Sequence, residues 1–148
     1  VISIIGLLSS IAFAGLAGAR NQAKYAKAKR DMLTLYQAMN SYKTDTGELP
    51  PVGDDCSACY APANPGRASE WARVIDALLV SDGSNWKGPY LQGRIDIDPW
   101  GRPYSYDDND VNSNCGDSNL TTTGADKDSA GGDDYTIRIT PQPISGCY

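Results

Sequence analysis

Asp126, Asp128, Asp133 and Asp134 fall within nine residues, with Gly124, Gly131 and Gly132 set among them. Carboxylates are hard oxygen donors, and glycines let a loop fold back so that several donors face one point, which is the chemistry of a calcium loop. The spacing is not that of an EF-hand, since Asp126, Asp128 and Ala130 are followed by neither the further ligands nor the terminal Glu. Two readings therefore stay open: a calcium site, and a set of solvated loop acids. Asp107, Asp108 and Asp110 form a second acidic group in a similar Asn-containing stretch.

The chain contains no histidine. That excludes Ser-His-Asp and Cys-His nucleophiles, the commonest zinc ligand and histidine-ligated haem. The acids sit in polar Gly- and Asn-rich stretches with no apolar setting that would raise a carboxyl pKa, so carboxylate-pair catalysis is not expected either. The expectation is a protein that is not an enzyme and requires no cofactor. Cys56-Ser57-Ala58-Cys59 has redox spacing, but it lies in a Pro- and Gly-containing stretch without the strand-to-helix setting that activates a thiol. Four cysteines allow three pairings; the favoured one joins Cys56 to Cys59 and Cys115 to Cys147, with a four-cysteine zinc site as the weaker alternative. Asn119-Leu120-Thr121 is a glycosylation sequon, a pattern of low specificity.

The elements that must carry these groups begin with an apolar run, Val1 to Ala19, which ends at the first charge, Arg20. Nineteen helical residues span roughly 28 Å, against about 30 Å for a bilayer's hydrocarbon core. Ile4, Ile5, Leu7, Leu8, Ile11, Phe13 and Leu16 supply the surface that would be buried in lipid or in a helix bundle. Gly6, Gly15 and Gly18 are the points where such a helix loosens at least cost. A secretory signal places its basic residues first; here Arg20, Lys24, Lys27, Lys29 and Arg30 follow the run, before any acid. The positive-inside rule alone would keep that flank cytoplasmic. Four cysteines in a short domain favour instead an oxidising compartment for the head, and the basic stretch then reads as a membrane-surface or filament-internal charge layer. Removing those five from the 13 Lys and Arg leaves eight against 18 acids, so nucleic acid is an unsuitable partner.

The helical pattern runs on past Arg20. Tyr25, Met32 and Met39 recur every seven residues, as do Ala28, Leu35 and Tyr42. The stripe serves either packing on the chain's own head or packing between subunits. No proline occurs up to Lys43, which predicts one helix on the order of 65 Å long, ended by Gly47, Pro50 and Pro51. A short amphipathic helix is predicted from Ser69 to Leu79, closed by Gly83. Pro89 to Leu91, Asp98 to Gly101, Tyr104 to Tyr106 and Tyr135 to Ile139 read as short antiparallel strands around turns. The fold class is α+β: 1–19 an apolar, protruding membrane or filament-core helix, 20–46 its continuation on the head, and 47–148 the globular head.

Four blocks together resemble the type IV pilin superfamily. Val1-Ile2-Ser3-Ile4-Ile5-Gly6-Leu7-Leu8-Ser9-Ser10 resembles the middle of that family's N-terminal helix. Trp86-Lys87-Gly88-Pro89-Tyr90-Leu91 and Asp98-Pro99-Trp100-Gly101-Arg102-Pro103-Tyr104-Ser105-Tyr106 are similar to blocks of the major pseudopilins of type II secretion. Thr123-Gly124-Ala125-Asp126, followed by Gly131-Gly132-Asp133-Asp134-Tyr135, resembles the pseudopilin calcium loop, which carries a ligand role over to Asp126 and, less directly, to Asp128, Asp133 and Asp134. The resemblance implies a subunit held in the inner membrane, processed by a prepilin peptidase, methylated at its new N-terminus and drawn by assembly machinery into a helical homopolymer. Mature pilins begin with a Phe-Thr-Leu-Ile-Glu-type stretch that this chain lacks, which implies about eight further residues ahead of Val1, including the assembly glutamate.

Of the readings this leaves, the first is an extracellular pilus serving adhesion, motility or DNA uptake, favoured by the expected disulfides and the Pro-rich insert. The second is the periplasmic pseudopilus of type II secretion, favoured by the blocks around Trp86 and Trp100. A third class, a membrane-anchored binding module that never polymerises, has no use for a long rigid helix.

Overall fold

The computed structural model describes residues 2–51, 68–81, 83, 85–107, 118–127 and 131–139. It opens with one unbroken helix, α1 (Ile2–Thr46), as a stretch without proline allows. For residues 2–17 the backbone alone is described, so the packing expected of Ile4, Ile5, Leu7, Leu8, Ile11, Phe13 and Leu16 lies outside the described side chains. Gly6, Gly15 and Gly18 all fall within the helix. Among the described residues no helix is long and apolar enough to cross a membrane. At the other end Gly47 takes φ +94°, a conformation glycine adopts without steric cost, and its N–H donates to the Lys43 carbonyl at 2.8 Å.

The seven-residue stripe is spent on the chain's own head. Ala28, Met32, Leu35, Met39 and Tyr42 are all buried, and Tyr25 is half-buried at the edge. Leu33, which lies off the stripe, is 51% exposed. Opposite the stripe lies α2 (Ala68–Leu79), whose Trp71, Val74, Ile75 and Leu78 are buried along one face. Trp71 also donates Nε1–H to the Ile95 carbonyl at 2.9 Å, so its polar edge is satisfied inside the core. The helix starts one residue before the expected Ser69 and ends at Leu79, ahead of Gly83.

Three short strands complete the head: β1 (Ser105–Asp107), β2 (Asn119–Thr122) and β3 (Tyr135–Arg138), antiparallel in the order β1-β2-β3. Tyr106 faces Leu120, and Leu120 faces Ile137. The alternation puts Tyr104, Tyr106, Leu120 and Thr122 inside, while Thr121 and Thr136 join hydroxyls at 2.8 Å on the outer face. Tyr106 donates its buried hydroxyl to the Pro50 carbonyl at 3.1 Å, which ties the sheet to the end of α1.

Two expected strands are not strands. Pro89 to Leu91 runs past α2, and the Tyr90 N–H goes to the Leu78 carbonyl at 2.9 Å rather than to a ladder. Asp98 to Gly101 is a closed turn, in which the Gly101 N–H reaches the Asp98 carbonyl at 3.0 Å. The central strand β2 coincides with the sequon, so Asn119 is a half-buried strand residue and not part of the exposed loop that glycosylation uses.

Candidate metal centre

Four segments converge beside the outer end of the sheet: the Tyr25 turn of α1, the turn at 98–102, the loop 123–127 after β2, and residues 131–134 before β3. The 98–102 turn is built around the buried Asp98. Its Oδ1 accepts the N–H groups of Trp100 and Arg102, each at 2.9 Å, and its Oδ2 accepts the Thr122 hydroxyl at 2.8 Å. The turn is thereby fixed to β2, and it presents the Trp100 ring edge-on to Tyr25, with centroids 4.7 Å apart and planes at 62°.

Tyr25 in turn donates its hydroxyl to Asp133 Oδ2 at 2.5 Å. The same oxygen accepts the Ala125 N–H at 2.7 Å and the Asp126 N–H at 3.3 Å. The hydrogen bond from Tyr25 holds the Asp133 carboxyl below the usual range, and the neighbouring carboxylate pushes the phenol of Tyr25 up. Asp133 Oδ1, in contrast, is buried with no hydrogen-bond partner among the described residues. Carboxylate oxygens of Asp126, Asp133 and Asp134 lie within 4.8 Å of one another. Three ionised acids converging to that distance repel, a repulsion that a bound cation would relieve.

The glycines fit this arrangement. A Cβ on Gly131 would fall on the Asp126 carboxylate, and one on Gly124, whose φ is +65°, would meet Asp133 Cγ at 2.6 Å. An all-oxygen donor set on a loop of this kind suits calcium and gives soft metals nothing to hold. Arg102 closes the outer edge by donating Nη1–H to the Lys127 carbonyl at 2.6 Å, where Lys127 has φ +64°.

Of the four expected ligands, three are brought together. Asp128 lies outside the described residues, as do Cys56, Cys59, Cys115 and Cys147 with their expected pairings. Tyr25, Trp100 and Arg102 escaped sequence reasoning as parts of this centre. One signal was present: Tyr25, like Tyr42, is a phenol on the stripe, and a packed phenol needs a partner for its hydroxyl.

The Trp86 block has a separate task at the far end of α1. Trp86 donates Nε1–H to the Ala77 carbonyl at 2.9 Å, Tyr90 donates its hydroxyl to Asp45 Oδ2 at 2.9 Å, and Lys87 Nζ reaches Asp45 Oδ1 at 3.1 Å. A Cβ on Gly88 would strike the Trp86 ring at 2.6 Å, so the close approach requires glycine.

A long N-terminal helix laid on a small antiparallel sheet defines an α+β pilin-like protein. Residues 16–141 match the family described as Type II secretion system (T2SS), protein G, and the chain belongs to that family, within the type IV pilin-like superfamily. It is 31% identical over 104 residues to the Type II secretion system core protein G of Aeromonas hydrophila, covering 70% of this chain and 63% of the relative. The corresponding protein of Vibrio cholerae is 29% identical over 108 residues, covering 72% and 62%, and that of Escherichia coli 31% over 105 residues, covering 70% and 62%. The matched stretch thus spans less than two thirds of the length of these curated relatives. No solved structure matches the chain.

Proposed function

We propose that this chain is a pseudopilin: a structural subunit that polymerises through α1 into the pseudopilus of a type II secretion machine and catalyses no reaction. The observation that carries this reading is the family match over residues 16–141, which takes in most of α1 and the whole sheet. The shared description of the relatives weighs for the pseudopilus over the surface pilus, reversing the preference drawn from the cysteines and the Pro-rich insert. Before assembly the apolar half of α1 is held in the inner membrane, where a prepilin peptidase processes it. On extraction it passes from lipid into a bundle of like helices, so its burial is preserved while the heads tile the outside. Arg20, Lys24 and Arg30 are exposed on α1, where they can face acids of neighbouring heads in the filament.

Calcium belongs to this reading. Asp126, Asp133 and Asp134 would hold the ion, with Asp128 as a further donor; bound Ca2+ would neutralise the converging carboxylates and fasten the loop between β2 and β3.

Deletion of the gene in its host, with complementation, tests the assembly reading. Loss of exoprotein secretion with surface pili retained is the expected result, along with short filaments of this chain on overproduction, seen by electron microscopy of sheared material. Intact secretion with loss of surface pili would restore the pilus, and membrane-bound monomers alone would overturn both.

A further inference from the structure

The hydrogen bond between Tyr25 and Asp133 joins α1 to the acidic loop across 108 positions of sequence. Resting on the calcium reading above, we propose that Tyr25 is a positioning residue of the metal centre: its hydroxyl holds Asp133 so that the free carboxylate oxygen is turned toward the ion.

The two oxygens of Asp133 are unequal. Oδ2 collects three donors, Tyr25 Oη at 2.5 Å, Ala125 N at 2.7 Å and Asp126 N at 3.3 Å. Oδ1 collects none among the described residues, though it is buried. A carboxylate torsion is broad and roughly two-fold, so nothing intrinsic to aspartate selects which oxygen faces inward. The three donors make that selection, and the shortest of the three bonds comes from the helix. A buried oxygen left over in this way is poised for a cation, since burial without a partner costs free energy that an ion would recover.

Tyr25 is held in its own place. Its ring rests edge-on against Trp100 at 4.7 Å, and the Trp100 turn is fixed by Asp98 to Thr122 on β2. A chain of contacts therefore runs from the central strand through Asp98, Trp100 and Tyr25 to Asp133. Groups that orient a metal ligand from outside the coordination sphere typically cost about 10- to 100-fold in affinity when removed.

Tyr25→Phe keeps the ring against Trp100 and deletes only the hydroxyl. The full chain in detergent micelles would be titrated with Ca2+ by calorimetry, wild type beside Y25F, and both melted in Ca2+ and in EGTA. The expected result is a Kd weakened by about tenfold or more in Y25F, with a larger loss of melting temperature in Ca2+ than in EGTA. Saturable binding with equal Kd in both proteins would overturn the role of Tyr25 and leave the calcium reading standing. No saturable binding by wild type would overturn the calcium reading and this inference with it. An equal loss of melting temperature in Ca2+ and EGTA would reduce the bond to a structural stitch and also overturn the role. Should Y25F not fold, Tb3+ on the unmodified chain supplies the check: emission sensitised by aromatic excitation and displaced by Ca2+ supports the placement, and saturable but unsensitised binding refutes it.

Discussion

Thr122 on β2 donates its hydroxyl to Asp98 Oδ2 at 2.8 Å, and both side chains are buried. The pair is the hinge on which the 98–102 turn, and through Trp100 the Tyr25 region, is mounted. Asp98→Ala would leave the Thr122 hydroxyl and the N–H groups of Trp100 and Arg102 without their acceptor. Unsatisfied buried donors cost about 1–3 kcal/mol each where water cannot replace the lost partner. We expect D98A to lose on the order of 3 kcal/mol in urea unfolding and to relax the Trp100 near-UV circular dichroism. A variant with wild-type stability would show that the turn does not depend on Asp98.

The fate of the heptad stripe gives a second prediction. Leu35 is fully buried between α1 and the head, whereas Leu33, two residues earlier, is 51% exposed. Leu35→Ala should cost about 2–5 kcal/mol, the usual range for a buried leucine. Leu33→Ala should stay within about 0.5 kcal/mol in the monomer. Equal losses, measured by chemical unfolding of detergent-solubilised monomers, would mean that the stripe is not what docks the helix.

These pairs also mark what could be read from the chain alone. Periodicity found α1, its end at Gly47 and the buried face of α2, because helix faces are written in local spacing. Strand β2 escaped because Asn119-Leu120-Thr121-Thr122 is four residues long and polar at three of them, a pattern not separable from loop. Pro89 to Leu91 reads as a strand for the converse reason: the Tyr90 N–H pairs with the end of a helix 12 residues back, a tertiary fact. In the metal centre the acids and glycines were legible as a composition of hard donors on a folding loop. Tyr25 and Arg102 were not, since what brings them there is packing across distant segments.

Acid should act on the far end of α1 through Asp45. Hydrogen bonds from Lys87 and then Tyr90 depress its pKa below the ordinary 3.8. A depressed carboxyl contributes stability that is fully present above the unfolded-state pKa and is lost as pH falls through the folded value. The gap in melting temperature between wild type and Asp45→Asn should therefore be constant from neutral pH down to about pH 5 and close as pH drops below about 4. Lys87 is largely exposed, so salt should narrow the gap as well. A gap that ignores pH would show that Asp45 acts only as a neutral hydrogen-bond acceptor.

The loop glycines make the sharpest test of calcium itself. Gly131 and Gly132 are adjacent, yet a Cβ on Gly131 would fall on the Asp126 carboxylate while one on Gly132 would meet nothing within 4 Å. Neither position has a φ that forbids alanine, so the two substitutions differ in what the new methyl displaces and little else. With Ca2+ at 100 times its Kd, binding to the native state alone should add about 2.7 kcal/mol of stability, removed by EGTA. Gly132→Ala should keep that difference. Gly131→Ala should lose most of it, because Asp126 is pushed out of the cluster, while its melting in EGTA stays close to that of wild type. Equal responses of the two variants to Ca2+ would place the ion, if bound at all, away from Asp126.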